Sequence, residues 1–224
     1  AHEIATNIEG AARVLHAAEP AYHNRLHMAD TMVCMTHLLL SQRRTQTTRQ
    51  ADACLECIAL VVMLGHDYLH NGKVNRFPAE LETIAVEQLT PIMARHQVAR
   101  ADQEMIAFCI LKTDPSGVKQ SHGLVAEREF VLEDRDCLAV LVQEADILGS
   151  TLPVTAPDLT ASLASEWSLF NPQLAQSLSQ PKSRIFFLEN AALFSSTAAQ
   201  NLGIPTLKAT ELDQIRAQIA ASGQ

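Results

Sequence analysis

The stretch Ile58-Ala59-Leu60-Val61-Val62-Met63-Leu64-Gly65-His66-Asp67-Tyr68-Leu69-His70 sets an unbroken apolar run directly against a group of ionisable residues. Seven consecutive apolar side chains make a helix apolar on every side, and such a helix belongs at the centre of a helical domain. We predict one helix over about residues 50–69. On that helix His66 and His70, four residues apart, would share one face, with Asp67 beside them.

A second stretch, Tyr22-His23-Asn24-Arg25-Leu26-His27, again spaces two histidines four residues apart. We predict a helix that starts near Tyr22 and presents His23 and His27 on one face. Imidazole nitrogens and carboxylate oxygens that converge from two helices are suitable ligands for a divalent cation. The two stretches together therefore predict a metal site.

The composition favours helices throughout. Of the 224 residues, 47% are hydrophobic, and only 4% are aromatic. The apolar content is mostly Ala and Leu, which favour helix over strand, and no segment alternates with the period of a strand. Further helices are predicted over 3–18, 78–95, 101–112, 124–149, 158–179, 182–201 and 210–222, with a loop over 41–50. We predict a single all-α domain that spans residues 1–224.

Charge and cysteine content exclude several classes of protein. The net charge is −8 and no basic run is present, which argues against binding to nucleic acid or to an anionic membrane. No apolar stretch of about 18 residues is long enough to span a membrane. Five cysteines, an odd number, predict reduced and mostly buried thiols in the cytoplasm. Cys54 and Cys57 form a C-x-x-C pair, which we interpret as part of a helix rather than as a zinc or redox motif. A second copy of the chain that docks on the apolar C-terminal helices stays an open alternative.

Asp146 completes the predicted metal site. It lies in Glu144-Ala145-Asp146, within an apolar helical pattern where a carboxylate is costly unless it is paired or metal-bound. With His27, His66 and Asp67 it forms a His₂Asp₂ set that suits Zn²⁺, Mn²⁺ or Fe²⁺. Asp67 could bridge to a second ion, Mg²⁺ or Mn²⁺. Two such ions would hold a bridging hydroxide as nucleophile and clamp the oxygens of a phosphate group.

Four motifs occur in the order found in a known family. Tyr22-His23-Asn24-x-x-His27-x-x-Asp30 resembles Y-H-N-x-x-H-A-x-D, and His66-Asp67-x-x-His70-x-Gly72-x-x-Asn75 resembles H-D-x-x-H-P-G-x-x-N. Leu111-Lys112-Thr113-Asp114-Pro115-Ser116 resembles L-A-T-D-M-S, and Ala145-Asp146-Ile147 resembles A-D-L/I. Over about residues 20–150 the chain thus resembles the HD superfamily of metal-dependent phosphohydrolases, and within it the 3′,5′-cyclic nucleotide phosphodiesterase catalytic domain.

The resemblance implies a compact bundle of helices, completed by the segment 158–222, and a specific reaction. The resemblance implies that a small phosphoester, a 3′,5′-cyclic nucleotide in that family, would be hydrolysed to the nucleoside 5′-monophosphate by a metal-bridging hydroxide. His23 would be the general acid that protonates the leaving oxygen. His70 and Thr113 would hold metal-bound waters. The implied metal ligands are His27, His66, Asp67 and Asp146.

The chain departs from the family pattern in its recognition residues. Asn71 stands where the family has a proline. Glu82 and His96 are candidate counterparts of the family's ionisable residues beside the metals. Gln200 is the candidate for the family's purine-binding glutamine. Tyr22 and Asn75 are expected to line the substrate pocket. Two alternatives stay open: another HD-type nucleotide phosphohydrolase or 5′-nucleotidase, and a regulatory domain that senses a nucleotide without turnover. The aromatic residues assigned to the core, with a pocket wall as the alternative, are Trp167, Phe170, Phe186 and Phe187.

Overall fold

A computed structural model describes residues 1–14, 19–45 and 52–222, and within these residues the protein is all-α, as predicted. The described residues form twelve α-helices and no strand. The helices are α1 (His2–Val14), α2 (Arg25–Thr45), α3 (Ala53–Gly65), α4 (Glu80–Arg95), α5 (Arg100–Leu111), α6 (Val118–Val125), α7 (Arg135–Thr151), α8 (Ala156–Trp167), α9 (Pro172–Leu178), α10 (Pro181–Asn190), α11 (Thr197–Asn201) and α12 (Ile204–Ser222). A 3₁₀ turn at Pro115–Gly117 precedes α6.

Helices α3 and α7 form the centre of the core. The apolar run of α3 is mostly buried, and residues 137–145 of α7 are all buried, including Glu144. Helix α2 packs against α3, α7 and α11 and so lies beside both central helices. This arrangement brings the start of α2, the end of α3 and the second half of α7 to one place.

Neither histidine pair lies within one helix, so the prediction of a shared helix face was wrong for both. The side-chain oxygen of Asn24 accepts hydrogen bonds from the backbone N–H groups of Leu26 (2.8 Å) and His27 (3.3 Å), which starts α2 at Arg25 and leaves His23 outside it. Helix α3 ends at Gly65, and residues 66–69 form a turn in which Leu69 has a left-handed φ of 60°.

Several predicted boundaries also change, because capping residues divide the longer periodic segments. The segment 158–179 splits where Asn171 caps α9 and accepts a hydrogen bond from Leu174 N–H (3.1 Å). The segment 182–201 splits where Ser196 caps α11, and 124–149 splits where Asp134 caps α7. Helix α12 begins at Ile204 instead of 210.

At the N-terminal end of the chain, α2 extends to Thr45 into the predicted loop 41–50, and the rest of that loop lies outside the described residues. The same holds for residues 15–18 of the predicted first helix. Helix α4 continues through Pro91 without a break.

All five cysteines are free thiols, and Cys109 and Cys137 are buried. The expectation of mostly buried thiols was wrong for Cys54 and Cys57, which are exposed because they lie in the first turns of α3, before it enters the core. In the described part of the chain no helix by itself has the length and apolarity to cross a membrane; α7 and α8 meet that criterion only as a pair, across a bend of 99°.

Candidate active site

Four side chains predicted as metal ligands converge in the structure. The Nε2 atom of His27 lies 3.3 Å from Asp67 Oδ2 and 3.2 Å from Asp146 Oδ1. The Nε2 atom of His66 lies 3.2 Å from the same two oxygens. His27 comes from the first turn of α2, His66 and Asp67 from the turn after α3, and Asp146 from α7. Two nitrogens and two oxygens thus surround one small volume.

The orientation of His66 suits a metal ligand. Its Nδ1–H donates a hydrogen bond to the backbone carbonyl of Met63 (2.9 Å), which fixes the ring so that Nε2 faces Asp67 and Asp146. That Nε2 atom is buried, and although two carboxylate oxygens lie near it, it makes no hydrogen bond. A buried nitrogen without a partner beside two carboxylates is the environment that a divalent cation would satisfy.

The two carboxylates dominate the electrostatics of this cluster. Burial by itself lowers the pKa of His27, but Asp146 and Asp67 outweigh it and raise that pKa to about 9. They also raise the pKa of the buried His66 well above its usual range. In turn, burial opposes ionisation of Asp67 and Asp146, yet the adjacent imidazoles hold the pKa of both acids low. The site therefore holds two ionised carboxylates ready to bind a positive charge.

A second cluster lies beside the first and contains a residue that the sequence did not indicate. Glu166, at the end of α8, accepts hydrogen bonds through Oε2 from the backbone N–H groups of Tyr22 (2.8 Å) and His23 (3.0 Å). Its Oε1 lies 2.6 Å from Nδ1 of His23. The side chain of Glu166 is almost fully buried, at 2% exposure. No motif marks Glu166, because its partner is 143 positions away in the chain.

His70 completes this second cluster. Its ring lies 3.9 Å from the ring of His23, centroid to centroid. Its Nδ1 accepts a hydrogen bond from the backbone N–H of Gly72 (3.0 Å), so the neutral ring carries its proton on Nε2. Burial, together with the nearby His23, lowers the pKa of His70 to about 4. The histidines therefore pair across the two motifs: His27 lies near His66, and His23 lies near His70.

A cavity of about 680 Å³ opens beside both clusters. Its wall includes His23, His70, Asp67 and Asp146. The remaining wall is mainly apolar and comes from the segment before α4 and the start of α4, from the turn at Pro115–Gly117 and the start of α6, and from α7 to α10 with the residue that follows α10. Those apolar residues are Val74, Phe77, Pro78, Leu81, Pro115, Val118, Ile147, Leu159, Leu163, Trp167, Leu178, Phe187 and Ala191.

Four other predicted site residues also line this cavity. The hydroxyl of Tyr22 lies 2.9 Å from Ser150 Oγ, and Thr113 donates to the backbone carbonyl of Ile110 (2.8 Å). The side-chain N–H of Asn75 donates to Glu82 Oε2 (2.9 Å). Burial raises the pKa of Glu82.

Two predicted residues lie elsewhere, and those predictions were wrong. His96 follows α4 at the surface, where its Nε2 lies 2.6 Å from Glu3 Oε2, because the end of α4 packs beside α1. Gln200 is exposed on α11 and does not line the cavity, because α11 packs on α2 instead.

The aromatic residues assigned to the core also need correction. Trp167 and Phe187 line the cavity, whereas Phe170 and Phe186 are exposed at 53% and 67%. Phe170 lies in the turn after α8, where Nζ of Lys73 lies 5.6 Å from its ring centroid, and Phe186 lies on the outer side of α10. The clue in the sequence was the spacing of Leu163 and Trp167, four residues apart, which places them on one helix face.

The fold is similar to a solved phosphodiesterase domain. The crystal structure of the phosphodiesterase domain of the RhoPDE fusion protein from the choanoflagellate Salpingoeca rosetta superimposes with a TM-score of 0.66. The match covers 98% of this chain and 90% of that one, at 18% sequence identity. At this identity the similarity concerns the fold. No protein-family profile matches the sequence. No curated protein matches it either.

Proposed function

We propose that this protein is a metal-dependent phosphodiesterase, with a 3′,5′-cyclic nucleotide as its substrate. The observation that carries the proposal is the convergence of four ligand atoms, from His27, His66, Asp67 and Asp146, beside the His23–Glu166 pair on one cavity wall. A similar fold in a phosphodiesterase domain supports it.

The protein residues divide the work as follows. His27, His66, Asp67 and Asp146 would hold an ion such as Zn²⁺, Mn²⁺ or Fe²⁺, and Asp67 would be shared with a second ion, Mg²⁺ or Mn²⁺. When bound, such ions supply positive charge to the phosphoryl oxygens and an activated water.

We assign the role of general acid to His23. In its protonated form it would hold one N–H against the Glu166 carboxylate and keep the N–H on Nε2 for the leaving oxygen. As water oxygen bonds to phosphorus and the bond from phosphorus to O3′ breaks, that proton passes to O3′. The product would be the nucleoside 5′-monophosphate.

The cavity suits a nucleotide-sized substrate. Its volume of about 680 Å³ lies in the usual range for small-molecule sites. Ile147, Leu163 and Phe187 supply apolar wall that a flat heterocycle can contact.

The test is hydrolysis by the purified protein with Mn²⁺ or with Mg²⁺. The substrates are cyclic AMP, cyclic GMP, bis-p-nitrophenyl phosphate and 5′-AMP. We expect turnover of at least one diester, which is lost with a chelator and in Asp67→Ala. The control is Asp213→Ala, which removes a carboxylate that is 81% exposed on α12.

Full hydrolysis by Asp67→Ala would refute the proposal. Release of phosphate from 5′-AMP with no attack on any diester would refute it in favour of a 5′-nucleotidase. Binding of a cyclic nucleotide without any turnover would refute it in favour of a sensing domain.

A further inference from the structure

One arginine of the C-terminal half bonds to the helix that carries the metal ligand Asp146. Arg184, in the first turn of α10, lines the cavity. Its Nε and Nη2 atoms donate to the two carboxylate oxygens of Glu211 on α12 (2.8 and 2.9 Å). Nη1 donates to the backbone carbonyl of Ser150 (2.6 Å) and Nη2 to that of Thr151 (2.9 Å). The side chains of Arg184 and Glu211 are 16% and 14% exposed, so water competes little for these bonds.

The contact between Arg184 and α7 meets a need of that helix. Ser150 and Thr151 are its last two residues, and the carbonyls at a helix end have no partner within the helix. A positive charge is also favourable there. The guanidinium supplies the donors and the charge, and its planar fork fixes the direction of approach. Among the described residues no other side chain of α10 hydrogen-bonds to α7, so Arg184 is the polar group of α10 that holds the end of α7.

Ser150 connects this helix end to Tyr22. The hydroxyl oxygens of Ser150 and Tyr22 lie 2.9 Å apart and share a hydrogen bond. The ring of Tyr22 lies 4.8 Å from the ring of His23 and 4.7 Å from that of His27, centroid to centroid. The phenol therefore packs against both the proposed acid and a proposed metal ligand, and a shift of the phenol would disturb both imidazoles.

We propose that Arg184 is a positioning residue for the reaction, because it holds Ser150, and Ser150 in turn holds Tyr22 against His23 and His27. The inference rests on the proposed function in that it uses the roles assigned to the two histidines. It gives the C-terminal helices a part in the chemistry, since α10 and α12 supply the Arg184–Glu211 pair. No sequence motif marks these links, which join residues 128 and 34 positions apart.

The first test is Arg184→Lys. Lysine keeps the charge and the aliphatic stem, but its single nitrogen cannot replace a planar fork that holds one carboxylate and two carbonyls. Because a misplacement of about 1 Å can cost about 10²-fold in rate, we expect kcat for the diester hydrolysed fastest to fall about tenfold. KM should change by less than about twofold. An unchanged kcat, or a loss confined to KM, would overturn the proposal.

The matched control is Arg43→Lys. Arg43 of α2 binds the two carboxylate oxygens of Glu56 on α3 through Nε and Nη2, as Arg184 binds those of Glu211. It does not line the cavity, and it donates to no helix carbonyl among the described residues. Arg43→Lys should therefore keep kcat within about twofold of the unmodified protein. A loss as large as that of Arg184→Lys would overturn the proposal, because any weakened arginine–glutamate pair would then slow the enzyme.

A double-mutant cycle tests whether Arg184 acts through Tyr22. Tyr22→Phe keeps the ring and removes the hydroxyl that meets Ser150. If the effect passes through that hydroxyl, Arg184→Lys should lower kcat little further in the Tyr22→Phe protein. A merely structural loss would act independently of the hydroxyl. Losses that simply add would therefore overturn the proposal.

The affinity for metal gives a readout that needs no turnover. Mn²⁺ is titrated into the metal-free proteins, and free Mn²⁺ is followed by electron paramagnetic resonance. Residues that orient a metal ligand change its affinity by about 10–100-fold, so we expect the dissociation constant to rise about tenfold in Arg184→Lys and in Tyr22→Phe. It should stay the same in Arg43→Lys. Equal constants in the unmodified protein and all three variants would overturn the proposal.

The two proposals fail in different ways. If Arg184→Lys does not fold, Ser150→Ala breaks the same link without touching the Arg184–Glu211 pair. It should match Tyr22→Phe in kcat and in Mn²⁺ affinity, and values equal to those of the unmodified protein would refute the link. If no diester is hydrolysed with either metal, the proposed function fails, and the Mn²⁺ dissociation constants still test Arg184. If diesters are hydrolysed but the cycle is additive, only the inference about Arg184 fails.

Discussion

Replacing Glu166 by glutamine is expected to separate proton donation from the rest of the reaction. Glu166 accepts three N–H groups, two from the backbone of Tyr22 and His23 and one from the His23 ring. Glutamine can still accept the backbone pair through its single oxygen, but it presents an NH₂ group to the ring. We expect a loss of about 2 kcal/mol in the free energy of unfolding, the usual range for a hydrogen bond to a charged group.

The effect on catalysis should depend on the leaving group. Facing an amide donor, Nδ1 of His23 would become an acceptor, and a neutral ring with its proton on Nε2 is a poor acid. We expect kcat for cyclic AMP to fall roughly 10²-fold, in the range of general-acid contributions. For bis-p-nitrophenyl phosphate, whose leaving group needs no proton, kcat should change by less than about threefold.

The chain offers a matched control in Glu144. This fully buried carboxylate also accepts three hydrogen bonds, from the backbone N–H groups of Ser195 (2.6 Å) and Ser196 (2.7 Å) and from the Ser196 hydroxyl. Glu144→Gln should lose comparable stability, measured by urea unfolding, and slow both substrates to the same extent. Equal losses on the two substrates in Glu166→Gln would refute the assignment of His23 as the acid.

Three further outcomes are expected. Gly72→Ala should cost about 1–2 kcal/mol of unfolding free energy because Gly72 has a φ of +74°, and it should slow cyclic AMP hydrolysis because the new Cβ would lie 3.2 Å from Glu166 Cγ. The control is Gly203→Ala, at a φ of +72° with open space around it, which should cost the same stability without the kinetic loss. Identical kinetics in the two variants would exclude an effect through the contact with Glu166. Burial, with a contribution from Lys208, lowers the pKa of His122 from 6.5 to about 4. The neutral ring therefore contributes stability that is complete above pH 6.5 and is lost as the pH falls from about 6.5 to about 4, by up to about 3 kcal/mol. In calorimetry, His122→Asn should flatten the plot of melting temperature against pH over that range, and an unchanged plot would contradict this. Adding Mn²⁺ at about 100 times its dissociation constant should stabilise the protein by about 2.7 kcal/mol and raise Tm. Asp146→Asn should abolish this rise in Tm, and a rise that persists in the variant would place the ion elsewhere.

The prediction of the ligand cluster from sequence worked because its members lie in short motifs. His66 and Asp67 are adjacent, and His27 and Asp146 lie in segments whose order along the chain matched a familiar pattern. The same logic failed for His96 and Gln200, which were assigned by position relative to those motifs. His96 lies at the surface because the far end of α4 packs against α1, and Gln200 is exposed because α11 packs on α2.

By itself, the sequence determined the helical class, the buried centre of the domain and the residue types that gather around the candidate metal centre. These features follow from the spacing of apolar residues, from helix propensity and from the cost of burying an unpaired charge, all of which can be read from a few neighbouring residues. Only the tertiary structure decided that the histidines pair across motifs, that Glu166 holds His23, and that Trp167 lies on the cavity wall. Those contacts join residues up to 143 positions apart, and such distances are set by how whole helices pack.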